Sequence, residues 1–243
     1  IFARAARVSG ECSLKTQLAT LAAHAGSVAL QSALPPDSPH MPMDSNEKPS
    51  HQRPEHPDFW CKRFQAGQTP WDAGGVPEDF ARFVAAHPQP RATLIPGCGN
   101  GWEAATLAAH GWPVTALDFS PAAVEQARQV LAGQAVDVVC ADFFTWQPAQ
   151  PLALIYERAF LCALPRKLWP DWGHRVAELL PAGGLLAGYF FVSPQLKGPP
   201  FGITDEQLDT LLLPHFQRLE DRPVTDSIPV FAGHERWQVW QRR

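Results

Sequence analysis

The sequence predicts an α/β domain built on a doubly wound, mostly parallel sheet. From Ala92 onward, short apolar runs alternate with longer helical stretches, and the apolar runs are nearly continuous. Continuous apolar strands are typical of a parallel sheet whose two faces are both covered by helices. A glycine-rich turn at residues 97–101 also follows the first of these runs directly and opens the next helix, as in doubly wound folds that bind a ligand at the strand ends.

The boundaries of the elements follow from local start and stop signals. Ser120 and Pro121 supply an N-cap and a first-turn proline for one helix, and Pro181-Ala-Gly-Gly184 ends another. The last two strands are separated by a loop alone, so we expect an antiparallel hairpin at the end of the sheet. In chain order, the predicted elements are a strand over 92–97, a helix over 102–110, a strand over 113–118, a helix over 121–131, strands over 136–140 and 152–156, a helix over 167–180, a strand over 185–192, a helix over 204–213, and strands over 216–224 and 236–240.

Residues 1–57 differ in composition from the rest of the chain. An Ala-rich stretch over 14–34 gives way to prolines and then to a polar run over 44–56. We expect a weak helix followed by a linker, either disordered or introduced by cloning. The folded domain is placed at residues 58–243.

Composition and charge narrow the classes of partner. The chain has 243 residues, a formal net charge of −4 and no stretch of about 18 apolar residues, so we expect a soluble protein that binds neither nucleic acid nor a membrane. Its five cysteines form no C-x-x-C pair and its nine histidines show no ligand spacing, so no metal site is predicted. We expect a cytoplasmic monomer whose partner is a small molecule.

The glycine turn gives the sharpest local signal for a ligand. Gly97, Gly99 and Gly101 let the backbone turn tightly and approach a ligand that a Cβ atom would exclude. The nicotinamide-binding pattern G-x-G-x-x-G would need its third glycine where Trp102 stands. The turn therefore favours the methionine end of S-adenosylmethionine over a dinucleotide, with an ordinary glycine-rich turn as the alternative.

Two further strand ends carry acidic residues. Asp118 ends the second predicted strand, where a carboxylate can accept hydrogen bonds from both ribose hydroxyls. Asp142 and Phe143 follow the third strand, where an acid and an aromatic face can hold adenine. Asp118 could instead cap a helix or lie in a solvated loop, and Phe143 could be a core residue. Because the carboxyl ends of parallel strands meet at one crevice, we expect these residues to lie near the glycine turn.

Five motifs stand in order along residues 58–243. They are Phe59-Trp60-x-x-x-Phe64-x-x-Gly67-x-Thr69-Pro70-Trp71-Asp72-x-Gly74, Ile95-Pro-Gly-Cys-Gly-Asn-Gly101, Ala141-Asp-Phe-Phe144, Phe160-Leu-Cys-Ala-Leu-Pro165 and Gly198-Pro-Pro-Phe201. Together they resemble the thiopurine methyltransferase family, which also includes thiol and halide methyltransferases of plants and bacteria.

The resemblance implies a class I methyltransferase of Rossmann-like fold that uses S-adenosylmethionine and methylates a small molecule, most readily at sulfur. It also implies that the tryptophan-rich segment folds over the cofactor, where aromatic faces attract a sulfonium cation. Phe64 stands where many relatives carry tryptophan. The implied site residues are Trp60, Phe64 and Trp71 at the cofactor and acceptor pocket, Gly97, Gly99 and Asp118 at the methionine and ribose ends, and Asp142 and Phe143 at adenine.

Arg158, after the fourth predicted strand, bears on the acceptor and is expected beside the cofactor as well. An arginine preceded by an acid resembles the thiopurine branch, whereas Thr69-Pro-Trp-Asp72 and the 160–165 motif look more like the thiol and halide branch. A guanidinium that points into the crevice would support an anionic acceptor, and a salt bridge to Glu157 or another acid is the alternative. The choice of branch stays open.

The implied chemistry needs positioning rather than a catalytic group. In-line methyl transfer to a thiolate requires alignment in a dry pocket, so no obligate base is assigned, and Cys98 and Cys162 are interpreted as packing residues. Three alternatives stay open: methyl transfer to a halide, hydrosulfide, selenium or tellurium acceptor; nucleotide-dependent oxidoreduction; and cofactor binding without catalysis.

Overall fold

A seven-stranded sheet with helices along both faces organises residues 48–243, the part of the chain that the computed structural model describes. The predicted helix over 14–34, and the linker up to residue 47, lie outside these residues. The helices are α1 (Pro57–Gln65), α2 (Glu78–Ala86), α3 (Trp102–Ala109), α4 (Pro121–Val130), α5 (Trp169–Leu179) and α6 (Asp205–Leu212), with 3-10 turns at Ser50–Gln52, Leu161–Ala163 and Arg166–Leu168. The strands are β1 (Thr93–Pro96), β2 (Val114–Asp118), β3 (Val136–Cys140), β4 (Leu154–Arg158), β5 (Leu185–Phe191), β6 (Phe216–Pro223) and β7 (Glu235–Arg242).

The strand order is β3-β2-β1-β4-β5-β7-β6. Neighbouring strands from β3 to β5 are parallel, whereas β7 runs antiparallel to both β5 and β6. This confirms the predicted doubly wound sheet that ends in an antiparallel hairpin. The chain moves from β1 to β2 and β3 and then returns to the other side of β1 with β4. A crevice therefore opens beyond the carboxyl ends of β1 and β4.

Local hydrogen bonds account for two helix starts. Ser120 Oγ accepts a hydrogen bond from Ala123 N at 3.3 Å, which confirms the predicted N-cap of α4. Thr204 and Gln207 form a reciprocal capping box at the start of α6. Both contacts satisfy backbone donors that have no partner within their own helix.

Strand β4 lies two residues later than predicted, at Leu154–Arg158 rather than at 152–156. Its neighbour β5 offers pairing partners, Gly188 and Tyr189, to Glu157 and Arg158. Backbone pairing therefore carries two ionisable residues into the strand. As a result, Arg158 is held at a strand end that faces the crevice.

Two helices before the sheet, α1 and α2, are absent from the sequence prediction. Helix α2 buries Phe80, Phe83 and Val84, which recur at the spacing of an amphipathic helix. Helix α1 is short, buries Phe59 and Phe64, and contacts α4. It carries the tryptophan-rich motif to the edge of the sheet.

The two faces of the sheet bury separate hydrophobic clusters. Leu94 and Ile95, adjacent in β1, belong to opposite clusters because successive strand residues point to opposite faces. Trp172 and Trp240 are fully buried in one cluster, and Trp237 in the other. Within residues 48–243, no helix is both long and apolar enough to cross a membrane.

Candidate active site

A cavity of about 390 Å³ opens at the carboxyl ends of β1, β2 and β4. Its lining combines the glycine turn after β1, the ends of β2, β3 and β4, and aromatic residues from α1 and the loop that follows it. All the site residues predicted from the sequence lie on this lining: Trp60, Phe64, Trp71, Gly97, Gly99, Asp118, Asp142, Phe143 and Arg158. The fold thus brings residues that lie between Trp60 and Arg158 in the sequence together around one cavity.

The glycine turn needs glycine at its first position for two reasons. Gly97 has a φ of 61°, in the left-handed region that side chains disfavour. A Cβ atom at Gly97 would also lie 2.6 Å from Phe160 Cδ2. At Gly99, with a φ of 52°, a Cβ atom would lie 3.7 Å from the ring of Phe64. The turn therefore presents bare backbone to the cavity.

Asp118 places a buried carboxylate beside the glycine turn. It is 6% exposed, its Oδ2 accepts a hydrogen bond from Gly99 N at 3.3 Å, and its Oδ1 accepts one from Ser120 N at 2.8 Å. Burial raises the pKa of Asp118 to about 6, although the backbone N–H groups act in the opposite direction. Each carboxylate oxygen has two lone pairs, so both oxygens keep accepting capacity.

Asp142 and Phe143 follow β3 in different environments. Asp142 is exposed, and its Oδ1 accepts a hydrogen bond from Phe144 N at 2.9 Å. Phe143 is 2% exposed, and its ring packs edge-on against Phe160 with the centroids 5.2 Å apart. Phe143 is therefore largely a core residue at the cavity edge, while the half-buried Phe144 also lines the cavity.

Arg175 of α5 holds the segment that contains Phe143. The side chain is 6% exposed, and its Nε donates to Phe143 O at 3.3 Å. A terminal nitrogen of the same guanidinium donates to Trp146 O, and the other donates to Glu178 at 2.7 Å. One buried cation thus fixes the backbone that follows β3.

The aromatic arm, residues 59–72, closes one side of the cavity. The Trp71 ring packs edge-on against Trp60 and Phe64, with centroid distances of 5.4 and 5.9 Å. Trp60 Nε1 donates a hydrogen bond to Pro54 O at 2.8 Å. Edge-on packing favours a fixed arrangement of these rings, so the arm forms a defined apolar wall.

Asp72 connects the aromatic arm to the glycine turn. Its Oδ1 accepts hydrogen bonds from Trp102 Nε1 at 2.9 Å and from Gly74 N at 2.8 Å. Its Oδ2 accepts a hydrogen bond from Asn100 Nδ2. Because Asn100 and Trp102 flank the start of α3, a single carboxylate fixes the arm relative to the turn.

Arg158 lines the cavity and forms an ion pair with Glu103. The distance from Arg158 Nη1 to Glu103 Oε1 is 3.0 Å, and the two side chains are 14% and 10% exposed. Tyr156 Oη donates to the same oxygen at 3.4 Å. The guanidinium carbon of Arg158 lies 5.5 Å from the centroid of the Tyr189 ring. The sequence left open an ion pair with Glu157 or another acid, and Glu103 is that acid.

Glu157 anchors the segment that follows β4. It is 1% exposed, and its Oε1 accepts hydrogen bonds from Phe160 N at 3.0 Å and Leu161 N at 2.9 Å. Burial raises the pKa of Glu157 to about 7, although the two backbone N–H groups act in the opposite direction. The anchored segment includes Phe160 and Cys162, which line the cavity.

Three residues that hold the site together have no role in the sequence prediction: Asp72, Glu103 and Arg175. Glu103 had a usable signal, because the first turn of a helix that starts at a glycine turn lies beside the ligand. Asp72 stood within a quoted motif, whereas Arg175 carries no local signal because it is an ordinary helical position. Within the described part of the chain, no group of three or more His, Cys, Asp or Glu side chains is placed to hold a metal ion.

The chain is similar in sequence to known methyltransferases. The family model described as thiopurine S-methyltransferase matches residues 55–243. A protein of Arabidopsis thaliana described as probable thiol methyltransferase 2 is 32% identical over 161 residues, which cover 64% of this chain and 71% of that protein. A thiopurine S-methyltransferase of Xanthomonas campestris pv. campestris is 30% identical over 200 residues, which cover 72% of this chain and 91% of that protein.

Solved structures support the fold. The 1,6-didemethyltoxoflavin-N1-methyltransferase of Burkholderia thailandensis, solved with 1,6-didemethyltoxoflavin and S-adenosylhomocysteine, superposes with a TM-score of 0.61 at 19% identity. The match covers 76% of this chain and 86% of that chain. At this level of identity the likeness establishes a shared fold alone.

Proposed function

The chain belongs to the thiopurine S-methyltransferase family, and we propose that the cavity at its strand ends is where it performs the family's reaction. It is an S-adenosylmethionine-dependent methyltransferase that acts on the sulfur of a small molecule. One observation carries the proposal: the glycine turn, two acidic strand ends and an aromatic arm surround a single cavity of about 390 Å³.

The residues around the cavity fit this cofactor. Gly97 and Gly99 turn bare backbone towards the cavity, and we assign this backbone to the methionine end. Asp118 offers buried acceptor oxygens for the two ribose hydroxyls. We assign Asp142 to the adenine amino group, with Phe143 at the apolar edge of the base.

The aromatic arm has two functions in this proposal. When bound, S-adenosylmethionine would supply the methyl group of its sulfonium. The methyl carbon would bond to an ionised acceptor sulfur as the bond from that carbon to the sulfonium sulfur breaks. Trp60, Phe64 and Trp71 present aromatic faces to a cation and exclude water. Arg158, which is paired with Glu103 at 3.0 Å, lies on the lining where it can donate a hydrogen bond to the ionised acceptor sulfur. These residues align and shield the reacting groups, so no side chain is required as an obligate base.

We propose a thiol or a thiopurine-like compound as the acceptor. The apolar wall of the arm suits an aromatic or aliphatic body, and similar proteins are described as thiol and thiopurine methyltransferases. A halide, hydrosulfide, or selenium or tellurium compound is the alternative acceptor. Family membership argues against a nucleotide-dependent oxidoreductase, and turnover distinguishes an enzyme from a cofactor-binding protein.

We further propose a cytoplasmic monomer that has no nucleic-acid or membrane partner. The net charge of −4 and the free thiols of Cys61, Cys98, Cys140 and Cys162 support this proposal. In residues 48–243, the exposed large hydrophobic side chains are Val76, Leu196, Leu213 and Leu219, which lie in separate loops and elements. Light scattering after gel filtration tests the oligomeric state.

The proposed activity is tested by methyl transfer from labelled S-adenosylmethionine to a panel of acceptors. The panel contains 6-mercaptopurine, thiophenol, hydrosulfide, iodide and a selenol. We expect transfer to thiophenol or 6-mercaptopurine with a kcat/KM above that for iodide. Transfer to iodide or hydrosulfide alone would replace the thiol proposal by the halide alternative. Cofactor binding without transfer to any acceptor would contradict the proposed activity.

A further inference from the structure

We propose that Glu103 selects acceptors by charge because it neutralises Arg158. The inference rests on the proposed function, since it concerns the acceptor of the same cavity. The enzyme methylates thiols whose only charge is the reacting thiolate. It binds and methylates less well those thiols that carry a second anionic group. Glu103 acts through Arg158 and is therefore a positioning residue.

The position of Glu103 couples it to the site. It lies in the first turn of α3, directly after the glycine turn, and it is 8% exposed. Its Oε1 receives hydrogen bonds from Arg158 Nη1 at 3.0 Å and from Tyr156 Oη at 3.4 Å. Glu103 and Arg158 both line the cavity. The guanidinium is thus oriented by an acid that is itself held by the fold.

The charge of Arg158 is balanced before any acceptor binds. Its side chain is 14% exposed, and in such a poorly solvated place a contact ion pair interacts far more strongly than in water. A second buried carboxylate, Glu235, is 7% exposed and also interacts electrostatically with Arg158. Glu103 therefore contacts the guanidinium directly, and Glu235 adds negative potential around it.

The rest of the lining adds no excess of positive charge. Its ionisable carboxylates are those of Asp72, Glu103, Asp118 and Asp142, and its cations among the described residues are Arg63 and Arg158. The guanidinium of Arg63 lies 3.4 Å from the centroid of the Phe59 ring and donates to Phe59 O at 2.9 Å. A second negative charge on an acceptor would consequently meet a lining that is acidic on balance.

The test compares two acceptors that differ only in charge, 4-mercaptobenzoate and 4-mercaptobenzamide. Glu103→Gln removes the negative charge but keeps an amide oxygen that can accept from both Arg158 and Tyr156. The ratio of kcat/KM for the benzoate to that for the benzamide is expected to rise about tenfold in this variant, because Arg158 becomes available to a carboxylate. Glu125→Gln, the same change at an exposed position of α4, is the matched control and should leave the ratio unchanged.

Binding gives a second readout that does not depend on turnover. The Kd values of 4-(methylthio)benzoate and 4-(methylthio)benzamide are measured by calorimetry with S-adenosylhomocysteine present. The wild-type protein is expected to bind the amide about tenfold more tightly, and this comparison needs no variant. The inference would be overturned if Glu103→Gln folds but its ratio of kcat/KM for the benzoate to that for the benzamide stays within twofold of the wild-type ratio. A wild-type preference for the benzoate, or no binding of either ligand, would also overturn it. None of these three results would affect transfer to thiophenol, which tests the proposed function separately.

Discussion

Glu157 shows how one residue can link stability to the shape of the site. Its Oε1 accepts two backbone N–H groups, whereas its Oε2 has no hydrogen-bond partner among residues 48–243. A buried carboxylate with an unpaired oxygen is costly when it is ionised. Glu157 lies at the start of the segment that lines the cavity, where its bonds to Phe160 and Leu161 define the backbone.

The cost of ionising Glu157 predicts a specific dependence of stability on pH. Its pKa is raised from 4.5 to about 7 in the folded protein, so the carboxyl group is neutral in both states below 4.5 and ionised in both above 7. Relative to Glu157→Gln, the wild-type protein should lose roughly 3 kcal/mol of unfolding free energy as the pH rises from 4.5 to 8.5. Urea unfolding of both proteins at several pH values measures this difference. A difference that does not change with pH would show that folding does not raise the pKa of Glu157.

Single residues were predictable from the sequence where the strand ends fixed them. Gly97 directly follows β1 and Asp118 ends β2, and both strands are easily recognised, so both residues could be placed at the crevice without a structure. The ion pair between Arg158 and Glu103 could not be predicted, because 55 positions of chain separate its partners and only the folded sheet brings α3 next to β4. Phe143 could be placed near the cavity, but its burial against Phe160 depends on packing that the sequence does not display.

At the scale of elements, the position of the aromatic arm depends on Asp72. Both carboxylate oxygens of Asp72 accept hydrogen bonds in the wild-type protein, from Trp102 Nε1, Gly74 N and Asn100 Nδ2. In Asp72→Asn, only one side-chain oxygen can accept hydrogen bonds from these three donors. The arm should then lie less firmly over the cavity. We expect the KM for S-adenosylmethionine to rise about tenfold, with a smaller change in kcat, since a lost hydrogen bond to a charged group costs about 1.5–3 kcal/mol.

A matched variant separates this effect from a general loss of folding. Asp58→Asn changes an exposed aspartate of α1 that accepts a hydrogen bond from Ser50 Oγ, away from the cavity lining. It should leave the KM for S-adenosylmethionine unchanged. Equal KM values in Asp72→Asn and the wild-type protein would mean that the arm is held without this carboxylate.

Elements were predictable to the extent that hydrophobic pattern determined them. The strands from β1 to β3 are mostly apolar runs next to turn signals, and their predicted bounds agree with the structure to within one residue. Strand β4 was misplaced because its last two residues are charged and are held there by pairing with β5. Helix α1 was not predicted because two of its aromatic residues, Trp60 and Phe64, line the cavity, which obscures the helical period.

At the scale of the whole molecule, the doubly wound topology explains why distant motifs form one site. The strand order reverses at β1, so the loops after β1, β2, β3 and β4 converge at one edge of the sheet. The α/β alternation in the sequence is sufficient to predict this convergence. The acceptor is not predictable in the same way, because it depends on the charge balance around Arg158.

We expect the cavity to bind S-adenosylmethionine through the buried carboxylate of Asp118. The most direct measurement is calorimetric titration with S-adenosylhomocysteine of the wild-type protein, Asp118→Asn, and Asp137→Asn as a matched change at an exposed position of β3. We expect one site per chain, a Kd raised about tenfold or more in Asp118→Asn, and an unchanged Kd in Asp137→Asn. No binding by the wild-type protein, or equal Kd values in all three, would contradict the account.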